Sequence, residues 1–348
     1  MTSINLKAAK LDGKWERSGI MYSLCADESG SRIYTAGMDG AVWSASLSAE
    51  ETELKQAWSN HVNYVSRLLW HDGMVISAGY DRRLNWTRAE DGEQVRSIAD
   101  AHKGWIRDVA ISGSRLVSVG DDMRVVVRDL ESGDIQHSLT GHEPRTPEHF
   151  YSALYAVAVT PDGRLAASGD RVGGIRVWDL QSGECLKTFQ APGFYTCDLV
   201  KRSRSIGGIR SLCFSDDGTT LAVGGIGQVT NVDGFVGPCR VELWDWAKQE
   251  RTFIGEDSHQ AVLNDIAFLP DGMIVGVGGG DGGGVIAFWD QSDKKATHKI
   301  KPKGHQQQFV WLDDAATLVA CGYDGLQRWR LATDGDDQPA TDSEKGAP

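Results

Sequence analysis

Apolar and polar residues alternate along this chain in short runs, and the runs come in pairs. "LYAVAVTPDGRLAASGD" (residues 154–170), "IRSLCFSDDGTTLAVGG" (209–225), "LNDIAFLPDGMIVGVGG" (263–279) and "IRDVAISGSRLVSVGDD" (106–122) each read as strand, turn, strand. A period of two sets one face of a strand toward a core. The pairs Asp162-Gly163, Asp217-Gly218 and Asp271-Gly272 mark hairpins, because glycine supplies the left-handed backbone of a tight turn. A second hairpin follows each of these. In "GGIRVWDLQSGECLKTF" (173–189) alternation runs through a Trp-Asp pair to a Ser-Gly turn and then resumes. One unit is therefore four antiparallel strands.

The second hairpin recurs, with uneven fidelity, at "GAVWSASL", "RRLNWTRAEDGEQV", "RVVVRDLESGDIQHSL", "CRVELWDWAKQERTF", "GVIAFWDQSDKKATHKI" and "LQRWRLATD". Trp43, Trp86, Trp178, Trp244, Trp289 and Trp329 share one slot in it, and Arg128 takes the place of a seventh; these anchors stand 40 to 66 residues apart. A four-stranded unit of about 40–45 residues with a Trp-Asp signature is the pattern of a propeller blade. The chain resembles the WD-repeat β-propellers. That resemblance implies an all-β fold with seven four-stranded antiparallel blades over residues 1–332, followed by an acidic disordered tail at 333–348. The last unit stops one strand short, while "SINLKAAKL" precedes the first complete one. This N-terminal segment is expected to supply the missing strand and close the ring.

The resemblance also implies that some polar residues are structural. In the family a His, a Ser or Thr, a turn Asp and the Trp often form one buried network. His102, Ser118 and Asp122 match it, as do His61, Ser77, Asp81 and Trp86, and His259 and Asp281 match in part. A buried carboxylate needs a partner, so these pairs read as structure rather than as acid–base catalysts.

Charge narrows the partners. The formal net charge is -12, of which the tail carries -4 (five acids, one lysine), and the remaining -8 repels a phosphate backbone. No apolar run is long enough to cross a bilayer, and the N-terminus lacks the apolar core of a secretion signal. A cytoplasmic, monomeric propeller working within a complex is expected, with no nucleic acid or membrane as partner. The six cysteines are scattered with no C-x-x-C pair, which argues against a zinc site or a disulfide framework. Most are expected to be buried in strands, with Cys197 and Cys239 as exceptions beside irregular segments.

Three segments exceed the repeat: 143–152, 191–207 and 226–239. In a meander of four strands they all emerge on one face, over neighbouring units, and the Gly-rich "GGGDGGG" (278–284) extends the cluster. Long loops on a rigid scaffold are common binding places. In the resembled family, partners contact residues near the start of each innermost strand and beside the turn Asp. Carried onto this chain, those positions hold Tyr22, Tyr64, Trp105, Arg107, Tyr155 and Arg210, and Met38, Tyr80, Asp121 and Tyr323. Tyr, Trp and Arg are the types enriched in binding hot spots. Eight residues are thus the candidate partner site: Tyr22, Tyr64, Tyr80, Trp105, Arg107, Tyr155, Arg210 and Tyr323. The basic run Lys201–Arg204 points to an acidic partner segment.

No phosphate loop, nucleophile elbow or zinc-protease helix occurs. His142 and His149, seven apart, leave room for a metal site with Cys197 or Cys239. The sequence points to a non-enzymatic interaction scaffold without cofactor, metal or catalytic residues. The alternative is a propeller enzyme or a small-ligand or metal binder using the loops of units four to six.

Overall fold

The hairpin turns read from the sequence are formed as left-handed glycines require. Gly163, Gly218 and Gly272 have φ of 69°, 69° and 83°, each between two paired antiparallel strands. The fold is that of a computed structural model, which describes residues 4–47, 53–234, 236–312 and 317–333. Among these residues every regular element is a strand except the short 3-10 turn Pro192–Phe194, so the all-β expectation holds. Residues 334–348 of the expected tail lie outside the described residues, and Thr333 ends the strand Thr317–Thr333.

The expected seven four-stranded blades are corrected to six large sheets. Five have four strands, spanning residues 65–98, 106–139, 154–190, 209–260 and 262–300; the sixth has six, and a two-stranded hairpin stands apart. The first and last units do not form separate blades. Two long strands, Ile4–Ala26 and Thr317–Thr333, pair with each other and run unbroken through the six-stranded sheet. They change direction at left-handed residues, Gly19 (φ 103°) in one and Asp324 and Gly325 (φ 70° and 110°) in the other. The N-terminal strand thus lies in the middle of a sheet, and it does not latch a ring of separate blades.

Hydrogen bonds do not close the ring. Among the described residues no ladder joins one sheet to the next. The innermost strands Ile4–Ala26, Val65–His71, Ile106–Ser112, Leu154–Val159, Ile209–Phe214, Val262–Phe268 and Gln306–Leu312 instead pack side by side in a complete circuit. Side-chain bonds stitch some of these joints. The Ser23 hydroxyl accepts from Leu68 N at 2.7 Å, Asp108 from Val157 N at 2.9 Å, Ser211 from Ile266 N at 3.1 Å and Gln308 from Leu24 N at 3.0 Å. The stitching position on Leu154–Val159 is Ala156, which has no acceptor, so it makes no such bond to Ile209–Phe214.

Packing between sheets also explains the sequence pattern. Second strands such as Leu165–Asp170 and Ile274–Gly280 are buried on both faces, so they read as nearly continuous apolar runs. Outer strands such as Gln94–Ile98 are mostly exposed. The shared Trp slot lies on third strands, where Trp86, Trp178, Trp244, Trp289 and Trp329 are buried between sheets. "GGGDGGG" is no loop: its strands pair through Gly279–Gly284 and Gly280–Gly283. Glycine is required there by close approach, since a Cβ on Gly278 would lie 1.9 Å from Val262 O, and one on Gly284 1.9 Å from Gly304 O.

Candidate functional site

Each innermost strand begins with a bulge that brings two distant chain segments to one rim. The register slips between Met21 and Ser23, Val65 and Arg67, and Leu154 and Ala156. Just before the bulge a carbonyl accepts from the turn residue of the next hairpin. Ile20 O takes Met38 N at 3.1 Å, Tyr64 O takes Tyr80 N at 2.8 Å, and Trp105 O takes Asp121 N at 3.0 Å; His305 O likewise takes Tyr323 N at 2.9 Å. The glycine before that turn must be glycine: a Cβ on Gly37 would sit 1.8 Å from Ile20 O, and one on Gly322 1.9 Å from His305 O. Positions equivalent in sequence therefore converge around the axis.

Seven of the eight candidate residues form one continuous surface. The Tyr22 ring lies 5.7 Å from Tyr64 and Tyr64 lies 5.6 Å from Tyr80. Tyr80 stacks on Trp105 at 4.5 Å and 4°. The Arg107 guanidinium lies 4.9 Å from the Tyr80 and Trp105 rings and 5.4 Å from Tyr155, and Arg210 covers Tyr155 at 4.3 Å. Asp121 holds Arg107 in a fork, at 2.6 Å to Nε and 3.1 Å to Nη2, while Arg107 Nη1 donates to the Tyr80 hydroxyl at 2.8 Å. Tyr323 packs on His305, 4.8 Å away. Burial, helped by Tyr80, Tyr64 and Tyr323, pushes the Tyr22 phenol up to about 12. Trp105 and Tyr323 remain 45% and 39% exposed, so the rim offers bare aromatic area.

Below the rim lies an axial cavity of about 120 Å³ lined by Tyr22, Tyr80, Arg107, Tyr155 and Arg210 together with Arg67 and Asp108. Arg67 is the floor. Its Nε pairs with Asp108 at 2.7 Å, and Nη2 reaches Asp265 across the axis at 3.8 Å. Burial opposes the Arg67 charge, but the two carboxylates outweigh it and raise its pKa. Burial, partly offset by Arg67, pushes the Asp265 carboxyl up to about 6, against ~3.9 for an unfolded aspartate. Between these values the folded chain binds the proton more tightly than the unfolded chain. The group therefore favours folding below about pH 4, and that contribution is lost as pH rises through about 6. Asp265→Asn stays neutral, so it is expected to gain roughly 2–3 kcal/mol on wild type between about pH 4 and pH 7. Denaturant unfolding of both chains across that range measures the gain; a constant difference would contradict it.

The three long segments meet one another beside Tyr155. Tyr195 donates to Glu148 at 2.5 Å. Gln228 bonds Tyr195 O at 2.7 Å, and Thr196 accepts from Val229 N at 3.0 Å. Arg171 ties Tyr151 O to Ser205 O at 2.8 and 2.9 Å. The hairpin of Tyr195–Asp198 and Arg204–Gly207 stands on this layer. Its tip exposes Leu199 and, at 95%, Val200. Arg202 and Arg204 of the basic run both pair with Asp233, at 3.0 and 3.3 Å, which offsets much of its charge.

Three His–Ser–Asp sets have the hydrogen-bond pattern of a catalytic triad. His61 bonds Asp81 at 2.9 Å and Ser77 at 2.8 Å; His102 bonds Asp122 and Ser118 at the same distances. His142, which the sequence left open as a metal ligand in a loop, is buried and bonds Asp170 and Ser168 at 2.8 Å each. Trp178 Nε1 also donates to Ser168 at 2.8 Å, completing that network. Burial of His61, His102 and His142 and of the three serines keeps any substrate from the hydroxyls. His259 joins no such set and approaches Gly283 O at 3.4 Å. Arg128, in the Trp slot, bonds Gly133 O and Ala101 O at 2.9 and 3.2 Å. Cys239, expected to be irregular, is buried in the strand Pro238–Asp245. Among the described residues no His, Cys, Asp and Glu side chains gather in threes as a metal would need.

Sequence reasoning passed over Arg67 and Asp265 at the base of the cavity, and the exposed Val62. Val62, 85% exposed, follows the network His61, and its N–H is held by Asp81. Arg67 and Asp265 were hidden because both sit in apolar-looking strands. Their slot, one residue past Ser66 and Asn264, could have shown them.

Residues 133–179 match the family model described as "WD domain, G-beta repeat". The match starts at the outer strand Ile135–Leu139 and ends with Gly174–Asp179 of the next sheet, so the repeat straddles two sheets and contains the complete network of His142, Ser168, Asp170 and Trp178. The chain is 27% identical to the Cilia- and flagella-associated protein 52 of Chlamydomonas reinhardtii over 53% of its length and 28% of that protein's. It is 26% identical to the Angio-associated migratory cell protein of Canis lupus familiaris, covering 75% and 67%. It is 25% identical to the Guanine nucleotide-binding protein subunit beta of Oryza sativa subsp. japonica, covering 64% and 54%. The matched part thus spans between about a quarter and two thirds of these relatives' lengths. The chain is thus similar to WD-repeat proteins, through one matched repeat and these partial relatives, in an all-β arrangement of packed sheets.

Proposed function

We propose that the chain is a non-enzymatic interaction scaffold that binds a peptide or protein at the mouth of its axial cavity. The observation that carries this reading is the unbroken surface of Tyr22, Tyr64, Tyr80, Trp105, Arg107, Tyr155 and Arg210, with Tyr323 on the same rim. Aromatic and arginine side chains held rigid by one another lose little entropy on binding, which is why such residues dominate interface energetics. One relative is by name a subunit of a larger protein, a precedent for action within a complex. Among the described residues no helix is long and apolar enough to cross a membrane; a cytoplasmic location is part of this proposal and does not follow from that absence.

The test is a pull-down from native extract with wild type beside a Trp105→Ala, Tyr323→Ala variant. Both side chains are partly exposed, so melting should shift little. Partner capture is expected to fall at least ~10-fold, about 1.4 kcal/mol, as loss of hot-spot area requires. Identical eluates from the two chains would remove this face from consideration.

A further inference from the structure

The axial cavity holds three arginines in unequal states. Arg67 is paired with Asp108 and Asp265, and Arg107 is held by Asp121. Arg210 has no carboxylate within ion-pair distance among the described residues. Its guanidinium, which carries five N–H donors, makes one hydrogen bond, from Nη2 to Gly207 O at 3.2 Å, and otherwise lies over the Tyr155 ring. It lines the cavity. Burial lowers its pKa, and nearby Arg107 adds to that effect. This arginine also stands at the joint that Ala156 leaves without a side-chain stitch. Its position is therefore not explained by holding two sheets together through hydrogen bonds.

A desolvated cation with free donors favours an anion that brings two coplanar acceptors. The cavity is about 120 Å³. A buried water needs ~10–15 Å³ of such space, so this cavity accommodates one short side chain and not a folded element. Asp108 lines the same cavity, which favours a single negative charge over a phosphate dianion. Around the opening, Trp105 and Tyr323 expose apolar surface.

Building on the binding face proposed above, we propose that Arg210 is the receptor for a carboxylate carried by the partner. The ligand is an extended peptide segment whose Asp or Glu side chain enters the axial cavity while apolar neighbours lie on the aromatic rim. The basic run Lys201–Arg204 is not this receptor, because Arg202 and Arg204 already face Asp233.

A displayed library of random nonapeptides panned on the full chain supplies the probes. Selected peptides are expected to share an Asp or Glu at one position. Resynthesised with the corresponding amide, they should bind wild type at least ~10-fold more weakly. The same exchange should change binding to Arg210→Met by less than about twofold, because the acid then has no partner. Arg210→Lys should retain part of the preference. Acid-to-amide exchange on wild type needs no protein variant, so the result stands even where a variant folds poorly. Peptides without a shared acid, or equal losses on wild type and Arg210→Met, would overturn the carboxylate site. In that case Trp105→Ala decides the underlying reading. Weaker binding of every peptide keeps the face, whereas unchanged binding, or a library that yields no binder, removes the face as well.

Discussion

Arg67→Ala is expected to cost about 3–5 kcal/mol of stability, the scale of leaving buried charges without their partner. Arg67 lies between two buried carboxylates on different sheets. Those carboxylates are also stitches: Asp108 accepts from Val109 N and Val157 N, both at 2.9 Å, and Asp265 from the Ser211 hydroxyl at 3.1 Å. Without the guanidinium, two negative charges would face each other across the axis, held by these bonds and by a long one from Phe309 N to Asp265 at 3.5 Å. Denaturant unfolding measures the loss. Adding Asp265→Asn to Arg67→Ala removes one of the two charges and should recover part of it, a coupling that a double-mutant cycle reads directly. A loss under about 1 kcal/mol, or no recovery, would mean that waters rather than Arg67 balance the floor of the channel.

Trp15→Ala is expected to be as damaging, about 3–5 kcal/mol. Trp15 is 2% exposed and packs in one cluster with Met21, Leu24, Val319 and Leu326. It pairs in register with Leu326, and a Cβ on Gly325 would lie 2.0 Å from its carbonyl oxygen. The N-terminal strand is thus interior to the six-stranded sheet. Were it an added edge that could peel away, losing its Trp would cost little. Thermal and denaturant unfolding distinguish the two. Faster hydrogen exchange at Leu326–Arg330, the partners of this strand, should accompany the loss of stability.

The same two strands show where sequence reasoning succeeds and where it stops. Alternation and the Trp slot marked strands and turns well, because each follows from local rules: period two, and glycine where φ is positive. Counting blades did not follow. Spacing treats every unit as separate, yet whether two units share one sheet depends on whether a strand continues through its turn, as at Asp324 and Gly325. The candidate rim was legible for a related reason. Tyr64 and Tyr80, or Trp105 and Asp121, are joined by a bond that the repeat itself dictates. His142 was misjudged because its Asp170 partner lies 28 residues away, across a segment longer than in the other units.

The sequence by itself determined the strand pattern, the hairpin turns, the buried Trp positions and the residue types presented at each rim position, since all of these are set by neighbours along the chain. Only the tertiary structure decided which arginine lacks a carboxylate. Arg107 and Arg210 hold equivalent bulge positions and Arg67 the next one, but Arg67 meets carboxylates of two other sheets, Arg107 meets one in the turn after its neighbouring strand, and Arg210 meets none among the described residues. A charge is left without a counter-charge by its surroundings in space, which no local pattern records.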